Sequence, residues 1–397
     1  MKSTNPNPNP NFNHLPLVKV AMPPREKLLP NLEKVLYSGM IAEGEYVYQF
    51  ESEFAGSFGL PIAIATSSGS AALHIALILS EIGNGDEVIT TSMTAEPTNM
   101  VILQSGATPV FADIDCLTGN LDPDSVESLI SERTKAIVVV HYAGFPANLN
   151  SLRFLADKYG IVLIEDCAHA LGATYNGKNI GTFGDYSIFS FQAIKHMTTV
   201  DGGVLTMRDL TKAKKAKRLR WFGLSKGVLR TTIDVSHIGF KYNMNNVSAV
   251  IGLSQLENIH QLIKKHIENG IFFDNEIANI PGFEITKIDV YSKPSYWIYT
   301  LLTDQSDSII KCFGDIGVVA SKLHRPNHLH SLFTPYRRNL PGLDSYYKRL
   351  VHIPCGWWVS QEKRELIADT LKGMSCLLYT SDAADEGLGV DLGGRRI

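Results

Sequence analysis

The sequence predicts an α/β fold, a mostly parallel sheet covered by helices on both faces, with a smaller α+β domain behind it. Three observations predict it. Apolar runs alternate with helix-patterned segments as far as about Val250, the pattern of parallel strands joined through helices. Several runs, such as Ile161 to Ile164, are continuously apolar, as strands buried on both faces must be. The 397 residues, 44% of them hydrophobic, are enough for a large core and two domains.

Taken in order, residues 1–16 are rich in Asn and Pro and read as a disordered arm, with the ordered fold starting near Leu17. Ile62 to Ala65 is a short apolar strand, followed by a small-residue turn and an amphipathic helix from about Gly69. Further strands are expected at Glu87–Met93, Thr108–Ile114, Ala136–Tyr142, Ile161–Cys167, Tyr186–Phe191 and Gly203–Met207. Residues 17–250 then form the large domain. Residues 251–375 mix helix, as in Gln361 to Lys372, with short strands such as Tyr296–Leu302, and are expected to fold over the mouth of the site. Residues 376–397 are Gly-rich and without period. They read as in-frame translation of a transposon-type sequencing adapter, so Cys376 carries no functional weight.

A net charge of -3 argues against a nucleic-acid footprint, and the basic run Lys212 to Arg220 reads as a solvated helix face. No stretch is long and apolar enough to cross a membrane, and the N-terminus lacks the basic-then-apolar pattern of a secretory signal. A cytoplasmic location is expected. Cys116, Cys167, Cys312 and Cys355 are scattered without metal spacing, as reduced packing or loop thiols are.

Three segments carry chemistry. Lys195 lies just past the strand-like run Asp185 to Phe189, where a lysine can lose its hydration, lower its pKa and become a nucleophilic amine. Upstream, the buried run from Gly160 ends on Glu165 and Asp166. Alternation along a strand sends these two carboxylates to opposite faces. Asp166 is assigned to a pyridine nitrogen, which an acid at the end of a central strand can keep protonated. In the turn after Ala65, Gly69 lets the backbone approach a ligand, while Ser70 and the free N–H groups of the helix start suit a phosphate.

Further signatures stand in the same order: Ser38-Gly39 with Gly44, Gly85 to Ile89, Gly106 to Asp115, His141 to Gly144, and Gly239 to Met244 running into Ala249 to Leu256. With the three segments above, they make the chain, from about Val18 to about Gly373, resemble the DegT/StrS family of pyridoxal-phosphate-dependent sugar aminotransferases, of fold type I. The resemblance implies a seven-stranded central sheet and pyridoxal phosphate (PLP) as cofactor. It makes Lys195 the Schiff-base lysine and catalytic acid/base, and Asp166 the partner of the pyridine nitrogen. His169 falls near the cofactor's phenolic oxygen, Ala168 against one ring face, and Gly69, Ser70 and Ser190 at its phosphate.

Two positions depart from the family pattern. Ala95 stands where an aromatic residue commonly stacks on the ring, which enlarges the substrate space. Lys241 stands where an asparagine reaches the neighbouring subunit's phosphate, a role a lysine fills as a point charge. The implied reaction moves an amino group from an amino acid, glutamate by family habit, to a keto group of a nucleotide-linked deoxysugar, for amino-sugar or polysaccharide biosynthesis. A homodimer with shared active sites follows from the same resemblance. Candidate substrate contacts are His141, Tyr142 and the segment Leu323 to His330, where His324 and Arg325 could meet a diphosphate. The three histidines of that segment have irregular spacing and no carboxylate beside them, so no metal site is expected. The alternatives are a sugar dehydratase of the same family, in which histidine replaces the lysine, and a non-catalytic regulatory homologue. Retention of Lys195 and Asp166 disfavours both.

Overall fold

A computed structural model describes residues 14–386. In chain order it runs α1 (Arg25–Tyr37), α2 (Glu45–Phe58), β1 (Ile64–Thr66), α3 (Gly69–Leu79), β2 (Glu87–Thr91), α4 (Glu96–Gln104), β3 (Thr108–Ala112), α5 (Pro123–Leu129), β4 (Thr134–Val140), α6 (Leu149–Tyr159) and β5 (Val162–Asp166). A short hairpin follows, β6 (Thr174–Tyr175) and β7 (Lys178–Asn179), then β8 (Tyr186–Ser190), β9 (Gly203–Met207), α7 (Ala213–Leu219), α8 (Asn246–Leu256) and α9 (Ile259–Ile277). The remainder is β10 (Glu284–Ile285), β11 (Ser292–Lys293), β12 (Tyr299–Leu302), α10 (Ser306–Asp315), α11 (Pro341–Arg349), β13 (Leu350–Ile353) and α12 (Gln361–Glu386).

The central sheet has seven strands in the order β1-β9-β8-β5-β4-β2-β3. Four neighbouring pairs are parallel, and β9 alone runs against its neighbours β1 and β8. The start of β9 therefore lies beside the ends of β1 and β8, in the registers Thr66↔Gly203 and Ser190↔Gly203. Ligands of open α/β sheets bind at the carboxyl ends of the strands. Here β5, β8 and β1 end together, with the first glycine of β9 among them.

Both faces of the sheet are covered. On one, the helical spacing of Val47, Phe50, Phe54 and Phe58 puts an aromatic stripe of α2 inside. Phe54 meets Phe189 and Phe191 edge-on, with centroids 5.4 and 5.1 Å apart, a preferred aromatic geometry. On the other, α3 buries Leu73, Ile75, Ala76 and Leu77 against Ile64, Ile188 and Leu205. Ser68 starts α3 by accepting the N–H of Ala71 at 3.0 Å, a side-chain cap.

Five expected strands end one or two residues early, at Thr91, Ala112, Val140, Asp166 and Ser190. At three of them a side chain takes an N–H one or two residues past the strand end: Thr91 Oγ1 accepts from Met93, Ser125 Oγ from Asp113, and Asn120 Oδ1 from Tyr142. The strand expected at Tyr296–Leu302 begins at Tyr299, because Tyr296 has a left-handed φ of 46°.

Three boundaries also differ. Pairing starts at Leu15 rather than Leu17: Leu15 is buried, bridges Val318, and accepts the Val319 N–H at 2.9 Å. It packs in the core of the C-terminal half, so the first described residues are not a detached arm. The division drawn at 250 falls inside α8, one helix packed on α1 and α2. The tail expected from Cys376 begins within α12, whose backbone continues helical to Glu386; residues 1–13 and 387–397 lie outside the described residues.

Candidate active site

A cavity of about 380 Å³ opens at the carboxyl ends of β5 and β8, and Gly69, Ser70, Ala95, Asp166, Ala168, His169, Ser190, Lys195 and His324 are among its lining residues. Eight of these nine come from the N-terminal sheet domain, and His324 comes from the C-terminal half.

Glu165 and Asp166 show how alternation along one strand separates two chemistries. Glu165 turns into the protein, where it accepts the N–H groups of Gly181, Phe183 and Gly184, the Ser187 hydroxyl and a ring nitrogen of His141. Those donors outweigh burial, so its carboxyl sits below the usual range. Asp166 turns to the cavity with two donors, the Ala168 N–H at 3.0 Å and the Thr98 hydroxyl at 2.9 Å. Burial wins there, and its carboxyl is pushed up. Such a carboxylate gains from a cationic partner such as a pyridinium.

Lys195 is half-buried on the cavity lining, and desolvation brings its amine down to about 8, with the Asp166 charge pulling the other way. An amine poised there is a ready nucleophile. The loop that carries it is tight: Phe191 N–H donates to the Gly202 carbonyl at 2.8 Å, Thr199 N–H to the Phe191 carbonyl at 3.0 Å, and Val200 is held at φ 73°.

The anion-binding end is built by close approach. A Cβ on Gly203 would lie 2.5 Å from the Gly69 nitrogen, and one on Gly69 would lie 3.0 Å from the Ser190 Cβ. Only glycine at 203 lets β9 start this close to the head of α3. The α3 N-terminus with Ser68, Ser70 and Ser190 thus forms a cup of hydroxyls and N–H groups, which suits a phosphate.

His169 lies stacked on Trp297, centroids 4.1 Å apart at 21°, and parallel to His324 at 5.9 Å. Burial lowers both imidazoles, His169 well below its ordinary value and His324 to about 4, so both rings are neutral. His169 Nδ1 and His324 Nε2 are buried without a protein partner, which leaves two polar atoms for a bound group.

Several expected contacts fall elsewhere. His141 is wholly buried between Glu165 and the Ala147 N–H, and Tyr142 is buried with its hydroxyl 2.9 Å from His352 Nε2. Neither lines the cavity. They sit one layer behind it, because Asn120 holds the Tyr142 backbone at the end of β4. Arg325, next to His324, is exposed and also outside the lining. The histidines of that segment diverge: His328 meets the Ser92 hydroxyl at 2.7 Å and His330 faces Glu96 at 3.5 Å. Lys241 does not reach this chain's own cavity; its amine lies over the Trp221 ring at 4.2 Å and donates to Asn243 at 2.8 Å.

Residues not singled out from sequence complete the lining, among them Thr94, Thr98, Gln192 and Glu96, with Trp297 under His169 and Lys195. The Ser68 cap before α3 is a signal that sequence carries. Thr98 and Trp297 act across folded distances, and no local pattern marks them.

The profile of the DegT/DnrJ/EryC1/StrS aminotransferase family matches residues 24–372. The spore coat polysaccharide biosynthesis protein SpsC of Bacillus subtilis is 33% identical over 344 residues, 82% of this chain and 88% of its own. The sugar aminotransferase CalS13 of Micromonospora echinospora superposes with a TM-score of 0.87 at 36% identity, covering 90% of this chain and 99% of that one. Spr1654 of Streptococcus pneumoniae, in its PLP form, superposes with a TM-score of 0.84 at 26% identity, covering 91% of this chain and 98% of that one.

Proposed function

Because this chain belongs to the DegT/DnrJ/EryC1/StrS aminotransferase family and is a PLP-dependent sugar aminotransferase, we propose that Lys195 and Asp166 carry its chemistry and that it aminates a nucleotide-linked ketosugar with glutamate as donor. The observation that carries this reading is the convergence of a desolvated amine, a cavity-facing carboxylate and a hydroxyl-lined helix start on one cavity. The residues fit the cofactor. Asp166 would face the pyridine nitrogen, the orphaned Nδ1 of His169 the phenolic oxygen, and Gly69, Ser70 and Ser190 the phosphate.

When bound, PLP supplies the electron sink for negative charge at the carbon beside the migrating nitrogen. Lys195 Nζ does the proton work: once free, it takes the proton from the donor's α-carbon, and in the second half it delivers one to the sugar carbon that receives the amine. Asp166 keeps the ring nitrogen protonated, with Thr98 and Ala168 fixing its two oxygens. The donor leaves as its oxo acid and the sugar ketone becomes an amine. Ala95, small where it lines the cavity, leaves room for the sugar. Polysaccharide biosynthesis, the context in the name of the SpsC relative, is the proposed setting, in the cytoplasm.

The same reading makes the working unit a homodimer with shared sites, in which Lys241 reaches the partner's phosphate as a point charge. Mixing inactive Lys195→Ala chains with Lys241→Ala chains then restores part of the activity, since one site of each heterodimer has both residues; full activity of Lys241→Ala alone defeats the shared-site model. The catalytic assignment is tested by borohydride reduction of the purified yellow enzyme followed by peptide mapping. The label is expected on Lys195, with the absorption band near roughly 410–430 nm lost in Lys195→Ala. A label on another lysine overturns the assignment.

A further inference from the structure

The segment Ser295 to Trp297, from the C-terminal half, holds the lysine-bearing loop at three successive residues. Trp297 Nε1 donates to the Ile194 carbonyl at 2.9 Å, the Lys195 amine lies over the Trp297 ring at 4.3 Å, and a ring nitrogen of His196 sits 3.1 Å from the Ser295 carbonyl. The same indole is tied into the site through the His169 stack.

The segment's shape is imposed from outside. Tyr296 keeps a left-handed φ of 46°, a conformation that a bulky residue keeps only where its surroundings over-determine it. Two glycines make the room: a Cβ on Gly144 would lie 2.7 Å from the Trp297 nitrogen, and one on Gly270 would lie 2.3 Å from the Tyr296 ring. Ser295 N–H donates to the Gly144 carbonyl at 3.0 Å, and His266 meets the Tyr296 carbonyl at 2.9 Å. The protein thus forces one buried indole against one amine.

We propose that Trp297 is a positioning residue for Lys195: its indole N–H fixes the height of the lysine loop, and its ring face is a seat for the charged form of the amine. The inference rests on the reading of Lys195 given above. Burial alone drives an amine toward its neutral form, whereas the face of an indole attracts an ammonium. The titratable neighbours of the amine are Asp166, which favours the charged form, and His169, His196 and His324, which burial keeps neutral. Among the described residues, the indole is then the one aromatic face over which this amine lies. A seat for the ammonium matters because, within each half of transamination, Lys195 must hold the proton between taking it from one carbon and handing it to the next.

The test is competitive acetylation of the full-length chain freed of cofactor, with the peptide containing residue 195 quantified across pH. Trp297→Phe keeps a ring face and loses the N–H, and its midpoint is expected within about 0.3 pH unit of wild type. Trp297→Leu loses both, and its midpoint is expected to fall by about one unit. A Trp297→Leu midpoint at or above the wild-type value overturns the proposal. A second measurement does not depend on the Leu variant folding: indole emission, quenched by an ammonium on its face, is expected to rise with pH in a step that is absent from Lys195→Ala. Superimposable curves for those two proteins overturn it equally. If borohydride still labels Lys195 while the midpoint is unchanged, this inference alone fails; a label elsewhere removes the functional reading beneath it.

Discussion

The floor of the cavity and the wall that closes over it treat burial in opposite ways. The floor, at the end of β5, carries Asp166, with Glu165 turned into the protein behind it, and burial acts against the charge of both carboxyls. Glu165 keeps its charge because five donors converge on it, whereas Asp166, with two, is left in want of a cation. The opposing C-terminal half brings imidazoles, and burial pushes these down: His324, on the cavity lining, to about 4, and behind it His266 to about 4 and His352 to about 3. One physical effect therefore yields a floor that seeks positive charge and a wall that refuses it. A site so divided favours protonation at its base and keeps its upper surface hydrogen-bonding and uncharged.

The largest expected effect breaks the wall. Each of those three histidines has a folded pKa below its ordinary value of about 6.5, so between the two the unfolded chain binds more protons than the folded one. Stability is complete above pH 6.5 and falls as the pH drops toward 4, by up to about 2 kcal/mol per histidine between pH 6.5 and 5. Urea denaturation at pH 7, 6 and 5 measures it, and His352→Asn should flatten the slope by one histidine's share. A stability independent of pH over that range would contradict the neutral wall.

The floor breaks differently at its two carboxylates. Glu165→Gln turns an amide toward converging donors and is expected to cost about 3 kcal/mol of stability, read as a lower denaturation midpoint with cofactor still bound by the folded fraction. Asp166→Asn is expected to leave stability nearly unchanged and to slow transamination at least about a hundredfold, near 2.7 kcal/mol of barrier. Should the two variants exchange phenotypes, the division of labour between adjacent residues is wrong. The smallest effect sharpens the boundary of the wall: Arg325→Ala, at an exposed residue outside the cavity, should change kcat/KM less than about twofold, while His324→Ala raises KM. A large loss in Arg325→Ala would restore the diphosphate contact expected from sequence.

What was legible in the sequence follows the same division. The floor comes from strand ends and the turns after them, so Gly69, Ser70, Asp166, His169, Ser190 and Lys195 stand in short contiguous segments whose residue types announce their chemistry. The strand cores were legible for the same reason, as continuous apolar runs. Their ends were not, because side chains elsewhere along the chain, such as Asn120 and Ser125, take N–H groups just past them. The wall is assembled from residues that only the fold brings together. His141 and Tyr142 looked like ligand groups and proved to be interior partners of Glu165 and His352, and Trp297 lies a hundred positions from the lysine it touches.

Leu15 has a consequence for how the chain must come together. It is stitched beside Val318, roughly three hundred residues away, and Trp358 Nε1 holds the neighbouring Pro16 carbonyl at 2.9 Å. The earliest part of the described chain to leave the ribosome must therefore wait for some of the last before it finds its place. The sheet can be complete while that segment is still loose, since the sheet's strands end at Met207. Contacts of such long range form late and slow the search. The C-terminal half, and with it the wall over the site, should be the last part to become rigid, so that protease cuts near residue 15 would outlast the appearance of a folded sheet in a nascent chain.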